Sequence, residues 1–276
     1  MRRELSRLRD TLAELGVPRG GVLLAHASLG GSGLRAHDVR DALLDVLGPG
    51  GTLVVPAFTP ENSDTSPAYR RRVRGMTERE RADVRASMPP FVPDITPCPA
   101  MGVLAEAVRT TPGARRSAHP QTSFAGLGPR AAELLEGHDP HCHFGERSPL
   151  ARLYEAGARV LLFRVGFGVC SAFHLAEYRT TPPSPPRTYR CVVPDPGGGG
   201  GGTWISYEDI ELDDGDFAAV GAGLPRALLR ERDVAGRPVV LLALRDAVDH
   251  AAVRLSASRR GASRPGDPLD GASPAP

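Results

Sequence analysis

The sequence predicts an α/β protein of three layers, with a central, mostly parallel or mixed sheet between helices. Three observations lead there. Apolar runs of strand length, "GGVLLAHASLG" (20–30), "TLVVPAFT" (52–59) and "ARVLLFRVG" (158–166), alternate with segments of helical apolar spacing. The strand–turn–helix–strand order over 20–59 reads as a βαβ unit, which brings parallel strands together. A chain of 276 residues, 41% hydrophobic and 24% charged, is long enough for one large domain.

Each element follows in order. Leu5, Leu8, Leu12 and Leu15 recur at three- and four-residue steps, so 2–16 is a helix that Gly16 and Pro18 stop. After the first strand, "AHDVRDALLDVLGPGG" turns Val39, Leu43, Leu44 and Leu47 inward and closes on Gly48-Pro49-Gly50. Residues 60–98 interrupt the pattern as a long polar loop with seven arginines between Arg70 and Arg85, either a solvated face or an attractor for an anion. Helices over 102–113, 129–138 and 148–157 come next; Ser148 and Pro149 mark the start of the last. The strand in 115–128 precedes the second of these. "TTPPSPPRTY" (180–189) is too proline-rich for regular structure, and two edge strands joined by a glycine loop follow it. A helix with an acidic start near 213, then a strand and a final helix over 237–257, complete one domain of residues 1–257. The Ser/Gly/Pro/Arg-rich stretch 258–276 reads as a disordered tail.

Composition excludes several functions. All 34 basic residues are arginine, so a Schiff-base or P-loop lysine is ruled out. A net charge of +2 gives no nucleic-acid footprint. No apolar run is long enough for a membrane span, and the start lacks a signal-peptide pattern, so the expected location is cytoplasmic. Cys98, Cys142, Cys170 and Cys191 have no CxxC spacing. "HDPHCHFGE" (138–146) matches no standard zinc pattern, so no metal is expected.

Chemistry concentrates in "CSAFHLAEYR" (170–179), just past a buried strand. On a helix, Cys170, His174 and Glu177 fall within roughly 60° of one another, with Ser171 beside them. His174 and Glu177 are i,i+3 neighbours, so the carboxylate can fix the imidazole tautomer and raise the basicity of its other nitrogen. A structural His–Glu pair has the same spacing; the position at a strand's carboxyl end favours a site. Ser28, Gly30, Ser32 and their neighbours in "HASLGGSG" (26–33) suit either a phosphate or an ordinary tight turn. Arg115, Arg116, Ser117, His119 and Ser123 in "RRSAHPQTS" suit a phosphate or a solvated loop.

Taken together, "HASL", "LGPGGTLVVPAFT", "RRSAHPQTSFAGLG", "GERSPLARLYEAGARVLL", "FHLAEYR" and "RDAVDHAAVRL" resemble, in this order over residues 20–255, the aminoglycoside 3-N-acetyltransferase (antibiotic N-acetyltransferase) family, unrelated to the GNAT enzymes. The resemblance implies that family's fold, a link to antibiotic resistance, acetyl-CoA as donor, and a primary amine of a small molecule as acceptor. It implies His174 as the base that strips the amine's proton, Glu177 as its partner, and Ser171 near the thioester carbonyl, where its hydroxyl would stabilise the oxyanion. It places His26, Ser28, Leu29, Gly30, Ser32, Arg116, Ser117, His119 and Ser123 at coenzyme A. Glu61, Asp64, Tyr69, Glu208 and Asp213 are the expected acceptor-side residues. A homodimer is left open.

The chain also departs from the pattern. "LRAHDV" (34–39) replaces a usual Val-x-Gly-Gly, Arg164 stands where glycine is usual, and "GFGV" (166–169) lacks an aspartate. A less cationic amine is therefore an alternative acceptor. Three rival mechanisms also remain: an acetyl-Cys170 intermediate, an acyl hydrolase using Ser171 and His174, and coenzyme A binding without catalysis.

Overall fold

A computed structural model describes residues 2–195, 197 and 201–261. The elements are α1 (Arg2–Leu15), β1 (Val22–Ala27), α2 (Ala36–Leu47), β2 (Thr52–Pro56), α3 (Pro67–Arg72), α4 (Glu78–Ala86), α5 (Gly102–Arg109), β3 (Arg115–Arg116), β4 (Phe124–Leu127), α6 (Ala131–Leu135), α7 (Pro149–Glu155), β5 (Arg159–Phe163), α8 (Ala172–Glu177), β6 (Pro186–Pro194), β7 (Gly202–Ile210), α9 (Phe217–Ala222), β8 (Arg230–Val234), β9 (Arg237–Ala243) and α10 (Leu244–Gly261).

Seven strands form one sheet in the order β3-β4-β2-β1-β5-β9-β8. β1 runs parallel to β2 and to β5, with His26 paired to Leu162 in the second register. Every other neighbour in the sheet is antiparallel. The βαβ expectation thus holds at the centre, and the sheet is mixed because hairpin-type connections supply its flanks. β6 and β7 pair apart from it as a two-stranded ribbon.

Period-two alternation divides the core. Leu23 and Ala25, Leu53 and Val55, and Leu161 and Phe163 face α1, α2 and α5. Val22 and Leu24, Val54, and Val160 and Leu162 face the opposite cluster, built on α6 to α10. Three layers result.

Four expectations need correction. Residues 60–98 are not one loop: Ser66 caps α3, and a Thr77–Glu80 capping box starts α4. Residues 186–190 belong to β6, because Pro186 sits at the first strand position of a ribbon, where it costs no ladder bond. β8 is a strand that weak apolar patterning concealed. Finally, α10 continues through Gly261, so residues 258–261 of the expected tail are helical; residues 262–276, and 198–200 of the glycine run, lie outside the described residues. Among the described residues no helix is long and apolar enough to cross a membrane.

Candidate active site

The carboxyl ends of β1, β2 and β5 open into a cavity of about 490 Å³. Its walls are mostly apolar, including Val55, Phe58, Met101, Leu104, Phe144 and Phe217. Its polar side chains are His26, Gln121, Thr122, Ser171, His174 and Asp214. A strand end followed by a turn and a helix start is where open α/β sheets bind ligands.

α8 carries the expected pair. Its short run "AFHLAE" buries Phe173, Leu175 and Ala176 and leaves the His174 face toward the cavity. His174 Nδ1 lies 2.6 Å from Glu177 Oε2. With Nδ1–H donating to the carboxylate, Nε2 is the basic nitrogen. The Glu177 side chain is fully buried, and its other oxygen accepts from Arg259 (2.9 Å) and from the Asp213 N–H (2.8 Å). The buried charge is therefore compensated, as a desolvated carboxylate requires. The His174 ring stacks on Phe144 at 4.4 Å and meets the edge of Phe217 at 4.8 Å, which fixes its plane.

Ser171 is the residue before α8, but its hydroxyl does not cap the helix. Both its N–H (3.1 Å) and its Oγ (2.9 Å) lie on His26 Nε2. Burial, and secondarily the nearby His174, push His26 down to about 3, so its imidazole is neutral. Because the Ser171 N–H donates to Nε2, that nitrogen is the acceptor, and the Ser171 hydroxyl donates to it as well. To serve as the oxyanion donor expected of it, the hydroxyl would have to turn this hydrogen away from His26.

The remaining coenzyme candidates divide. Ser28, Leu29, Gly30 and Ser32 form the turn after β1. Ser32 Oγ donates to Leu29 O, and the Arg164 guanidinium binds Ser28 O and Gly30 O. Arg116, Ser117, His119 and Ser123 do not reach the cavity wall. Arg116 donates to Ser123 Oγ and to the carbonyls of Ala57, Pro93 and Thr96. Ser117 joins the Phe124 N–H to His138, and His119 Nδ1 accepts the N–H groups of Gln121 and Thr122. This cluster braces the β3–β4 connection. Its arginine-and-hydroxyl composition suited a phosphate, but its polar atoms other than His119 Nε2 are hydrogen-bonded inside the fold.

Of the acceptor-side acids, Glu61 and Glu208 are exposed and Asp64 pairs with Arg190. Tyr69 accepts from Arg85 in a separate groove of about 430 Å³ lined by Arg70, Arg74, Arg81 and Arg85. Asp213 is exposed and serves Glu177 through its backbone, while its neighbour Asp214 lines the cavity. Cys170 is fully buried in the core, and burial pushes its thiol up to about 12. It has neither the access nor the thiolate that an acyl carrier needs.

Sequence reasoning missed Arg259, which binds Glu177, Asp216 and the Asp213 carbonyl from the end of α10. It also missed Asp209 of β7, which accepts from the His143 N–H, His143 Nδ1 and Tyr178 OH. These bonds hold the chain at Phe144, the ring stacked on His174. The group "HDPHCHFGE" serves here as a hydrogen-bonded brace, with His138 Nε2 donating to the carbonyls of Cys142 and His143.

A family model described as aminoglycoside 3-N-acetyltransferase matches residues 24–256. An aminoglycoside N(3')-acetyltransferase-like protein of Bacillus subtilis, YokD, is 32% identical over 78% of each chain. Aminoglycoside N(3)-acetyltransferase IX of Micromonospora chalcea is 33% identical over 79% of this chain and 77% of its own. Among solved structures, YokD superposes with a TM-score of 0.81 and 29% identity, covering 92% of this chain and 98% of that one. AAC-IIIb, a binary complex with CoASH, gives 0.77 and 25% over 92% and 96%. AAC-VIa, bound to sisomicin, gives 0.76 and 27% over 92% and 98%.

Proposed function

The chain belongs to the aminoglycoside 3-N-acetyltransferase family, and on that premise we propose that it transfers acetyl from acetyl-CoA to an amine of an aminoglycoside-type amino sugar, with His174 as general base. Membership makes it an N-acetyltransferase. The observation that carries the finer reading is the 2.6 Å contact between His174 and the buried Glu177 at the wall of the cavity.

Acetyl-CoA supplies an activated acyl carbon. An apolar cavity with few polar groups suits the slender pantetheine arm and its thioester. The relative solved with CoASH supports the same donor. An ammonium has no lone pair, so the acceptor reacts as the neutral amine. His174 takes the N–H proton that must leave as the C–N bond forms, then returns it to the departing thiolate. Glu177 holds the ring and stabilises its charged form meanwhile. Relatives bound to sisomicin and to a gentamicin support an aminoglycoside acceptor. Asp214, the single carboxylate in the lining among the described residues, favours an acceptor less cationic than those as a second reading.

The test is free-thiol release from acetyl-CoA with sisomicin, gentamicin and monoamine sugars. Amine-dependent release that falls roughly 100- to 10,000-fold in His174→Ala supports the mechanism. Release without any amine would favour a hydrolase, and none at all would favour a binding protein.

A further inference from the structure

We infer that His26 is a positioning residue that keeps the Ser171 hydroxyl a hydrogen-bond acceptor toward the cavity, and that Ser171 thereby selects primary amines over secondary amines and alcohols. The inference rests on the acetyl-transfer reading above.

The Ser171 backbone decides the tautomer of His26. Its N–H points at His26 Nε2 from 3.1 Å, and an N–H only donates. Nε2 is therefore bare and the ring proton sits on Nδ1. The Ser171 Oγ lies 2.9 Å from the same bare nitrogen, so there the hydroxyl is the donor. Its hydrogen is turned into the protein and its lone pairs are left over. In most N-cap serines those lone pairs would take a helix N–H. Here φ −58° and ψ −23° are already helical, and the side chain makes no cap bond. No described residue donates to this Oγ, and Ser171 lines the cavity one turn before His174.

The same geometry opposes Ser171 as a nucleophile. Activating it would move its proton onto His26 Nε2, against the Ser171 N–H aimed at that atom and in a buried place. An acetyl-serine route lacks its proton acceptor.

What the hydroxyl can do follows from counting hydrogens. A neutral primary amine carries two. His174 takes one and passes it to the thiolate, so that amine and thioester become amide and thiol in balance. The other stays on the product amide, and Ser171 Oγ holds it throughout. A secondary amine has no second hydrogen. An alcohol gives its single hydrogen to His174 and then turns oxygen lone pairs toward those of Ser171, which is repulsive.

The experiment compares wild type, Ser171→Ala, Ser171→Thr and His26→Leu with sisomicin as the probe acceptor, reading thiol release and the ratio of N- to O-acetyl product. Wild-type enzyme labelled with ¹⁵N-histidine reports the His26 tautomer by NMR. Ser171→Ala is expected to raise the amine KM roughly 10-fold at unchanged acetyl-CoA KM, and to lower the N/O ratio by a similar factor. His26→Leu should do the same although the hydroxyl remains, and Ser171→Thr should restore wild-type values. The idea is overturned if Ser171→Ala loses kcat 100-fold or more at unchanged amine KM, the signature of an oxyanion donor. It is equally overturned if the His26 proton is on Nε2. Should wild type release no thiol with any amine, the acetyl-transfer reading fails, while the NMR result still decides the hydrogen-bond direction. If His26→Leu does not fold, Ser171→Ala and the tautomer suffice.

Discussion

Replacing Arg259 with glutamine removes the cation bound to Glu177. The side chains are unequally placed: Glu177 is 0% exposed and Arg259 24%. At about 4 Å and an effective dielectric near 20, a bare pair would be worth about 4 kcal/mol. Arg259 is partly solvated and shares its charge with Asp216 at 3.0 Å, which reduces that figure. A hydrogen bond to a charged group is worth about 1.5–3 kcal/mol by substitution. A loss near 2 kcal/mol corresponds to about 30-fold in rate. The loss should fall mainly on kcat, because Glu177 would be held less firmly and would steer His174 less well, while Arg259 itself does not line the acceptor cavity. The assay is thiol release under saturating substrates, with the melting temperature measured alongside. Arg259→Lys should recover part of the rate, and a chain ended after Ala257 should resemble Arg259→Gln. If Arg259→Gln and the shortened chain both turn over like wild type, Glu177 needs no cation and the reasoning is refuted.

Three further outcomes are expected. Burial holds His26 down to about 3, His138 to about 4 and His119 well below its usual value, so below pH 6.5 the unfolded chain binds protons that the folded one refuses. Stability is full above pH 6.5 and falls with acidity at about 1.4 kcal/mol per pH unit for each histidine, which thermal melts from pH 7 to 5 will read as a steep drop that His138→Gln flattens. Cys170→Ala should cost about 1–2 kcal/mol of stability through a small cavity yet keep kcat within a few-fold; a loss matching His174→Ala would restore the acetyl-cysteine route. Arg164 has φ +59° and donates to the carbonyls of Ser28, Gly30, Val234 and Ala235. Arg164→Gly relieves about 1 kcal/mol of backbone strain but orphans those carbonyls, so a net loss of about 1–3 kcal/mol in denaturant titration is expected.

Much of this was legible beforehand. Uninterrupted apolar runs marked β1, β2 and β5 because both faces of those strands are buried, and the i,i+3 spacing of His174 and Glu177 survives any detail of packing. The resemblance located the same pair. Elsewhere, composition misled. Arg116 and His119 look like phosphate binders until their partners are seen, because nothing local says which loop folds inward. The signals for α3 and α4 were present, Ser66-Pro67 and Thr77-x-x-Glu80, but without an apolar stripe behind them. Arg259 was hidden by a tail whose makeup resembles disorder; only the docking of α10 on α8 brings it to Glu177.

That docking has a bearing on how the protein comes into being. Glu177 sits 82 positions before Arg259, and His26 sits 145 before Ser171, so the working centre is stitched from distant stretches of chain. Contacts of such separation are slow to form, because long loops must close before the contacts stabilise anything. Until α10 arrives, α8 would have to bury the Glu177 carboxylate without its arginine, which opposes its seating. A nascent polypeptide emerging from the ribosome would thus gain its chemistry in one late step, and thioester would be safe from half-made copies.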